Sequence, residues 1–351
     1  MTGHGASKEV SAMADKLDKL REAQKQRIEK EARPGETYAQ AAHRLQVAAD
    51  KQPPAPKSNM RKAPSGDAQM DFFVPALYDV GTRDSRSIMD VAVFRLSKKE
   101  RRAGDVIRYD LPDGYVEVKS GPDGMASIWD YDIVLMLVSH LTEAVNAYRA
   151  GKGEKPSRTF RPHVSDILRF CRKGHGGKQA VEIEHALDRL RGTTIKSVRE
   201  RVNTNGQKLR EVEAEGLIGG YRVVSYTDSG RIAELEIEAP KWLYREIIDG
   251  KRPDVLTVHP DYFLIEPGLG KFIYRLARRA AGKDSAKWSY QTIYERSGST
   301  GTFKKFCFML RKLIETNDLP EYILSEEKGI KGPQLVMIHR DSIEVIDSSG
   351  S

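Results

Sequence analysis

The chain has little cysteine, no long apolar run and no complete catalytic motif, and each absence removes a class of function. Only Cys171 and Cys307 occur in 351 residues, too few for a disulfide framework or an all-cysteine zinc site. Both fall at apolar positions of amphipathic stretches, which suits small buried thiols. There is no stretch of about 18 apolar residues and no apolar signal core near the N-terminus, so the expected setting is the cytoplasm, with no membrane partner. Gly268-Leu269-Gly270-Lys271-Phe272 imitates a phosphate loop, but the first glycine of G-x-x-x-x-G-K-[ST] would fall on Ile265, and Phe272 replaces the metal-binding hydroxyl. It reads instead as a helix start after Pro267. No His-hydrophobic-His pair occurs among the eight histidines, so the ligands of metal-dependent nicking chemistry are missing. His163, His175 and His185 are spaced like neither a zinc finger nor a zincin. Asp130 and Asp132 read as helix-capping groups rather than metal ligands. An enzyme is therefore not expected, and no catalytic residue, cofactor or metal is assigned.

What is present is positive charge, and it is concentrated. Eleven Lys/Arg against Asp284 and Glu295 give the segment from Gly270 to Ile314 a net charge of +9, whereas the whole chain carries +8. Dense positive charge on a helical scaffold is the footprint of a polyphosphate partner. From Thr302 to Ile314, Phe303, Phe306, Cys307, Leu310, Leu313 and Ile314 follow the spacing of one helix face, while Lys304, Lys305, Arg311 and Lys312 lie opposite. Ser297 to Gly301 is a small-residue turn with good capping chemistry, and Trp288 to Arg296 predicts a shorter helix before it. Two strand-like runs follow, Glu321 to Leu324 and Gln334 to Ile338, joined by a Gly- and Lys-bearing turn from Lys328 to Pro333. Helix, turn, helix and hairpin together predict a winged helix. The positions assigned to double-stranded DNA are Arg275, Arg278, Arg279 and Lys287, then Ser299, Thr300 and Thr302 at the turn. Lys304, Lys305, Arg311 and Lys312 follow on the helix, with Lys328 and Lys331 on the hairpin tip. The first outward residues of the helix, Thr302, Lys304 and Lys305, are expected at base edges, and Arg311 and Lys312 at backbone.

With 39% hydrophobic residues, the chain has material for about two to three domains. Residues 1–50 predict a helical or mobile arm, with a helix to about Glu31, a break at Pro34-Gly35 and a second helix from Thr37 to Ala49. Residues 51–70 hold Pro53, Pro54, Pro56 and Pro64 and read as a linker. Ile88 to Phe94, Val106 to Tyr109 and Tyr115 to Val118 have strand character, and a helix begins near Asp130. Helices at Pro162 to Lys173 and Lys178 to Arg191 flank Gly174 to Gly177. Strands are expected over Thr193 to Val202, Leu217 to Tyr226 and Ile232 to Ile237, and a joining helix around Lys241 to Ile248. The order helix, helix, turn, helix, hairpin thus occurs twice. The predicted fold is α+β, with two tandem winged-helix domains, at 71–250 and 251–342, and a tail at 343–351. The first copy's last helix is electrically neutral: Lys178, Arg189 and Arg191 face Glu182, Glu184 and Asp188. It is expected to meet protein rather than phosphate, giving self-association through the N-terminal domain.

Asp71 to Asp90 (DFFVPALYDVGTRDSRSIMD), Leu256 to Phe272 (LTVHPDYFLIEPGLGKF), Tyr294 to Ser299 (YERSGS), Phe303 to Cys307 (FKKFC) and Glu31 to Glu36 (EARPGE) resemble the plasmid replication initiator protein A (RepA-type) family of broad-host-range bacterial plasmids. The resemblance covers about Asp71 to Arg340. It implies a protein that binds repeated elements at a plasmid origin, opens the adjacent A·T-rich duplex and recruits the host replication initiator and replicative helicase machinery. Only the resemblance separates this reading from a winged-helix transcriptional repressor, because melting depends on how DNA is deformed rather than on a motif.

Overall fold

The computed structural model describes residues 35–51, 57–63, 72–75, 92–111, 113–173, 177–202, 205–226, 232–249, 255–330 and 332–342, with scattered positions between 22 and 33. The expected tail, the strand positions before Ala92, the turn at 174–176 and Lys331 lie outside the described residues. The chain divides into two units, 1–56 and 57–351. In the first, helix α1 (Tyr38–Lys51) starts with a reciprocal cap: the Thr37 N–H donates to Gln40 Oε1 at 2.9 Å and the Gln40 N–H to Thr37 Oγ1 at 3.4 Å. Arg44 grips both oxygens of Glu36 at 2.9 Å and holds that carboxyl down to about 2.

In chain order the second unit holds β1 (Phe72–Pro75), β2 (Val106–Leu111), β3 (Gly114–Lys119), α2 (Tyr131–Arg149), β4 (Thr159–Phe160), α3 (Val164–Phe170) and α4 (Gly177–Gly192). Then come β5 (Thr194–Val202), β6 (Lys208–Gly216), β7 (Gly220–Ser225), β8 (Ile232–Glu238), α5 (Lys241–Asp249) and β9 (Val255–Val258). A 3-10 turn, Pro260–Leu264, leads to α6 (Gly268–Ala280), β10 (Ser285–Ser289), α7 (Tyr290–Arg296), α8 (Phe303–Thr316), β11 (Tyr322–Gly329) and β12 (Gly332–His339). The architecture is mixed α and β.

One order of elements occurs twice. Helix, strand, two helices and two strands run as α2, β4, α3, α4, β7, β8 and again as α6, β10, α7, α8, β11, β12. Each set closes a three-stranded antiparallel sheet of the same topology, β4-β8-β7 and β10-β12-β11. The first copy carries an insertion, because β5 and β6 leave it to join β2 and β3 in a four-stranded sheet ordered β2-β3-β5-β6. Sequence periodicity misses β6: its Lys-Leu-Arg-Glu-Val-Glu-Ala-Glu-Gly run is mostly exposed, and nine positions paired with β5 supply what apolar alternation does not.

Other expectations are corrected by tertiary contacts. Trp288 lies not on a helix but on β10, paired with Leu335, and Ser289 starts α7 by accepting the Thr292 N–H at 3.0 Å. Ala92, Val93 and Phe94 are buried yet form no strand; the neighbouring Arg95 makes a single bridge to Ser127. Asp130 and Asp132 do not cap α2 with their side chains. Asp130 accepts a bidentate pair from Arg189, with both contacts at 2.8 Å, and Asp132 accepts Lys271 Nζ at 2.6 Å. Helix α2 is buried on nearly every side, from Tyr131 and Asp132 through Val145, as a central core helix must be.

The expected boundary at 250/251 is crossed repeatedly. Strand β1 pairs antiparallel with β9, and Lys271 of α6 reaches Asp132 of α2, so the two copies share one unit. Gly268 opens α6 against the first half; a Cβ there would stand 2.2 Å from the Leu96 carbonyl oxygen, so only glycine permits the approach. The linker is also shorter than 51–70. Ser58 Oγ and the Asn59 N–H both donate to Asp318 Oδ2 at 2.7 Å, and the Arg61 N–H donates to the Leu264 carbonyl at 2.8 Å. Arg61 also donates to the Cys171 carbonyl at 3.0 Å. These bonds are worth roughly 1 kcal/mol each net. Extending a truncation from residue 56 to residue 62 is therefore expected to cost roughly 2–4 kcal/mol, read as the difference in urea midpoint between the two chains. Equal midpoints would contradict the docking.

Candidate nucleic-acid interface

Helix α8 is held at both ends. Thr302 caps its start, accepting the Lys305 N–H at 3.3 Å. Asn317 ends it at φ 47°, and its Oδ1 accepts the Leu324 N–H at 2.8 Å, tying the helix to β11. Phe306, Cys307, Leu310 and Leu313 are buried beneath it, and Tyr294 packs on Phe303 and Phe306 with centroids 5.4 Å away. The preceding turn needs Gly298, at φ 59°, and is clamped from the first half of the chain. Arg102 donates to the Gly298 carbonyl at 2.8 Å, and Thr300 donates to Glu100. The loop that leads into β2 thus helps set where α8 points.

Most of the positive charge in this segment is already engaged. Lys271 is fully buried in its pair with Asp132, with the Tyr262 ring centroid 4.5 Å from the ammonium. Arg275 is 8% exposed, its guanidinium 4.9 Å from the Tyr131 ring and 5.2 Å from that of Phe94. Arg275 is therefore a core residue, and its assignment to DNA is corrected. Lys287 pairs with Glu327 at 2.6 Å. Arg311 grips Glu326, with Nε at 2.8 Å from Oε2, and that hydrogen bond holds the Glu326 carboxyl below its ordinary range. Such exposed pairs are worth about 0–1 kcal/mol.

Residues 83–324 match the Replication initiator protein A family. The chain belongs to that family. A relative from Wigglesworthia glossinidia brevipalpis, named "Putative replication protein", is 28% identical over 257 residues, covering 72% of this chain and 88% of the relative. Among solved structures, a crystal structure of domains 2 and 3 of RctB aligns with a TM-score of 0.46 at 14% identity, over 70% of this chain and 94% of that one. A second RctB domain 2-3 structure aligns with a TM-score of 0.43 at 14% identity, over 72% and 97%.

In this replication initiator, α8 brings together Lys304, Lys305, Arg311 and Lys312 on one exposed face, and Thr300 and the cap residue Thr302 lie exposed just before it. Among the described residues no ion pair is formed by Lys304 or Lys305, and Lys312 rests its ammonium 4.8 Å over the ring of Phe308. Ser299 is half-buried, its N–H donating to Ser297 Oγ at 3.2 Å. Arg278 and Arg279 are half-buried on α6, away from full exposure. Lys328 is exposed near the end of a hairpin whose strands run to Gly329 and from Gly332, longer than the sequence suggests. At its tip Ile330 is fully exposed. Phe308 and Met309, 58% and 37% exposed on α8, went unassigned in the sequence because they are apolar side chains that lie off the apolar stripe. The equivalent helix of the first copy, α4, has Arg189 committed to Asp130, leaving it poorer still in available charge. No described helix is long and apolar enough to cross a membrane, and no metal-binding cluster occurs among the described residues.

Proposed function

We propose that this initiator binds repeated double-stranded elements at its plasmid origin through a winged helix formed by α6 to β12, with α8 in the major groove and the β11/β12 hairpin as the wing. The observation that carries the reading is the exposed lysine set of α8, held rigidly by its two caps while neighbouring cations are spent in core contacts or ion pairs. Recognition helices meet base edges with their first turns, which brings Thr302, Lys304 and Lys305 into the groove first, with Lys305 in reach of a base, Lys304 in reach of the phosphate wall and Lys312 at phosphate further along. The first copy serves self-association. Its inserted strand β6 ends the β2-β3-β5-β6 sheet with Leu209 and Val212 44% and 46% exposed, an edge suited to a second copy of the chain. Binding of several copies bends and opens the adjacent A·T-rich duplex in the cytoplasm and brings in the host initiator and replicative helicase.

The test is footprinting of the full chain on the supercoiled origin of its own plasmid, combined with permanganate probing of unpaired thymines. Protected repeats beside newly reactive thymines are expected. Protection without reactive thymines would instead make the protein a repressor of the same build, and no protection would remove the DNA reading.

A further inference from the structure

The basic face of α8 has an apolar centre. At about 100° per residue, Phe308 falls between Lys304 and Lys312, one turn before and after it, with Lys305 and Arg311 on its flanks. Its ring is 58% exposed, whereas Phe272, Tyr274, Tyr290, Phe306 and Tyr322 in the same half are buried. The Lys312 ammonium lies 4.8 Å from the ring centroid, so the aromatic is part of the charged surface rather than beside it. A protein partner fits poorly, because the centres of protein interfaces are depleted of lysine. A DNA groove fits both features. Its walls are phosphate, and the one apolar group among its major-groove base edges is the C5 methyl of thymine. Glu315, exposed on the same face in the last turn, would repel phosphate and so ends the contact at about Lys312.

We propose that Phe308 reads the methyl group of a thymine in the binding site. This rests on the placement of α8 in the major groove. Phe308 follows Lys304 by four residues, about 6 Å along the helix, so the thymine lies roughly two base pairs from the position that Lys304 approaches. The side chain thereby sets specificity without adding charge.

The experiment uses the full chain and a duplex that it selects from a random pool. Each thymine of that duplex is replaced singly by deoxyuridine, which removes only the methyl, and affinity is measured at fixed salt. Wild type is expected to lose about fourfold at one position, the worth of one methyl at about 0.8 kcal/mol. Phe308→Ala, removing an exposed ring, should keep the wild-type melting temperature and salt slope but bind thymine and deoxyuridine alike at that position. Met309→Ala should still discriminate. The inference is overturned if no thymine is methyl-sensitive in wild type, if Phe308→Ala discriminates as wild type does, or if that variant changes only self-association. Failure of the DNA reading itself looks different: Lys304→Ala and Lys305→Ala would then bind as tightly as wild type.

Discussion

Replacing Lys271 with methionine is expected to destabilise the chain by about 3–5 kcal/mol, the cost of leaving one partner of a buried ion pair behind. The Lys271 and Asp132 side chains are 0% and 2% exposed, with 2.6 Å between Nζ and Oδ2. Phe263 adds a second ring 5.5 Å from the ammonium. Burial pushes the Asp132 carboxyl up and the Lys271 ammonium down, and each partner's charge opposes the other's shift. Without the ammonium, Asp132 can remain buried only by keeping its proton. Its folded pKa then rises further above the unfolded value of about 3.9. The folded state then holds the extra proton, so the deficit of Lys271→Met must grow as pH rises above about 4. Lys271→Met combined with Asp132→Leu removes both charges and should recover most of the loss. Urea unfolding of the two single variants and the double variant at pH 5 and pH 8 measures all three expectations. A single variant as stable as wild type at both values would show that the pair does not join the two copies.

That pair also shows why part of the fold could be read in the sequence and part could not. The helices announced themselves by periodicity: the buried stripe of Phe306, Cys307, Leu310 and Leu313 is the one expected, and Thr302 caps where a cap was needed. The repeat was legible because both copies carry the same order of local signals. Long-range partners leave no such signal. Lys271 and Arg275 look like any other cations of a basic segment, and only Asp132 and the rings of Phe94 and Tyr131, well over a hundred residues earlier, make them core residues. Strand β6 was hidden for the same reason, since its pairing lies with β5 and its exposed charges resemble a loop. The clamp of Arg102 and Glu100 on the turn before α8 was beyond reach, as nothing local in either stretch refers to the other.

The second large effect is on DNA. Lys304 and Lys305 are the exposed cations at the start of α8, and neither supports the core, so removing both should leave the fold intact while weakening binding. Each phosphate contact contributes about 0.9 to the slope of log affinity against log salt. A base contact by Lys305 would instead appear as about 1–3 kcal/mol lost at one base pair. If both lysines meet phosphate, the slope should fall by about 1.8; if Lys305 reads a base, it should fall by about half of that, with discrimination relaxed at one position.

The most direct measurement is the salt dependence of binding to one selected duplex by the full chain, by Lys304→Ala/Lys305→Ala, and by Arg191→Ala, which removes an exposed cation from α4 of the first copy. A shallower slope and an affinity roughly tenfold to a hundredfold lower are expected for the lysine pair, with Arg191→Ala unchanged. An unaltered slope for the lysine pair, with the loss appearing in Arg191→Ala, would place the DNA on the first copy and contradict binding through α8.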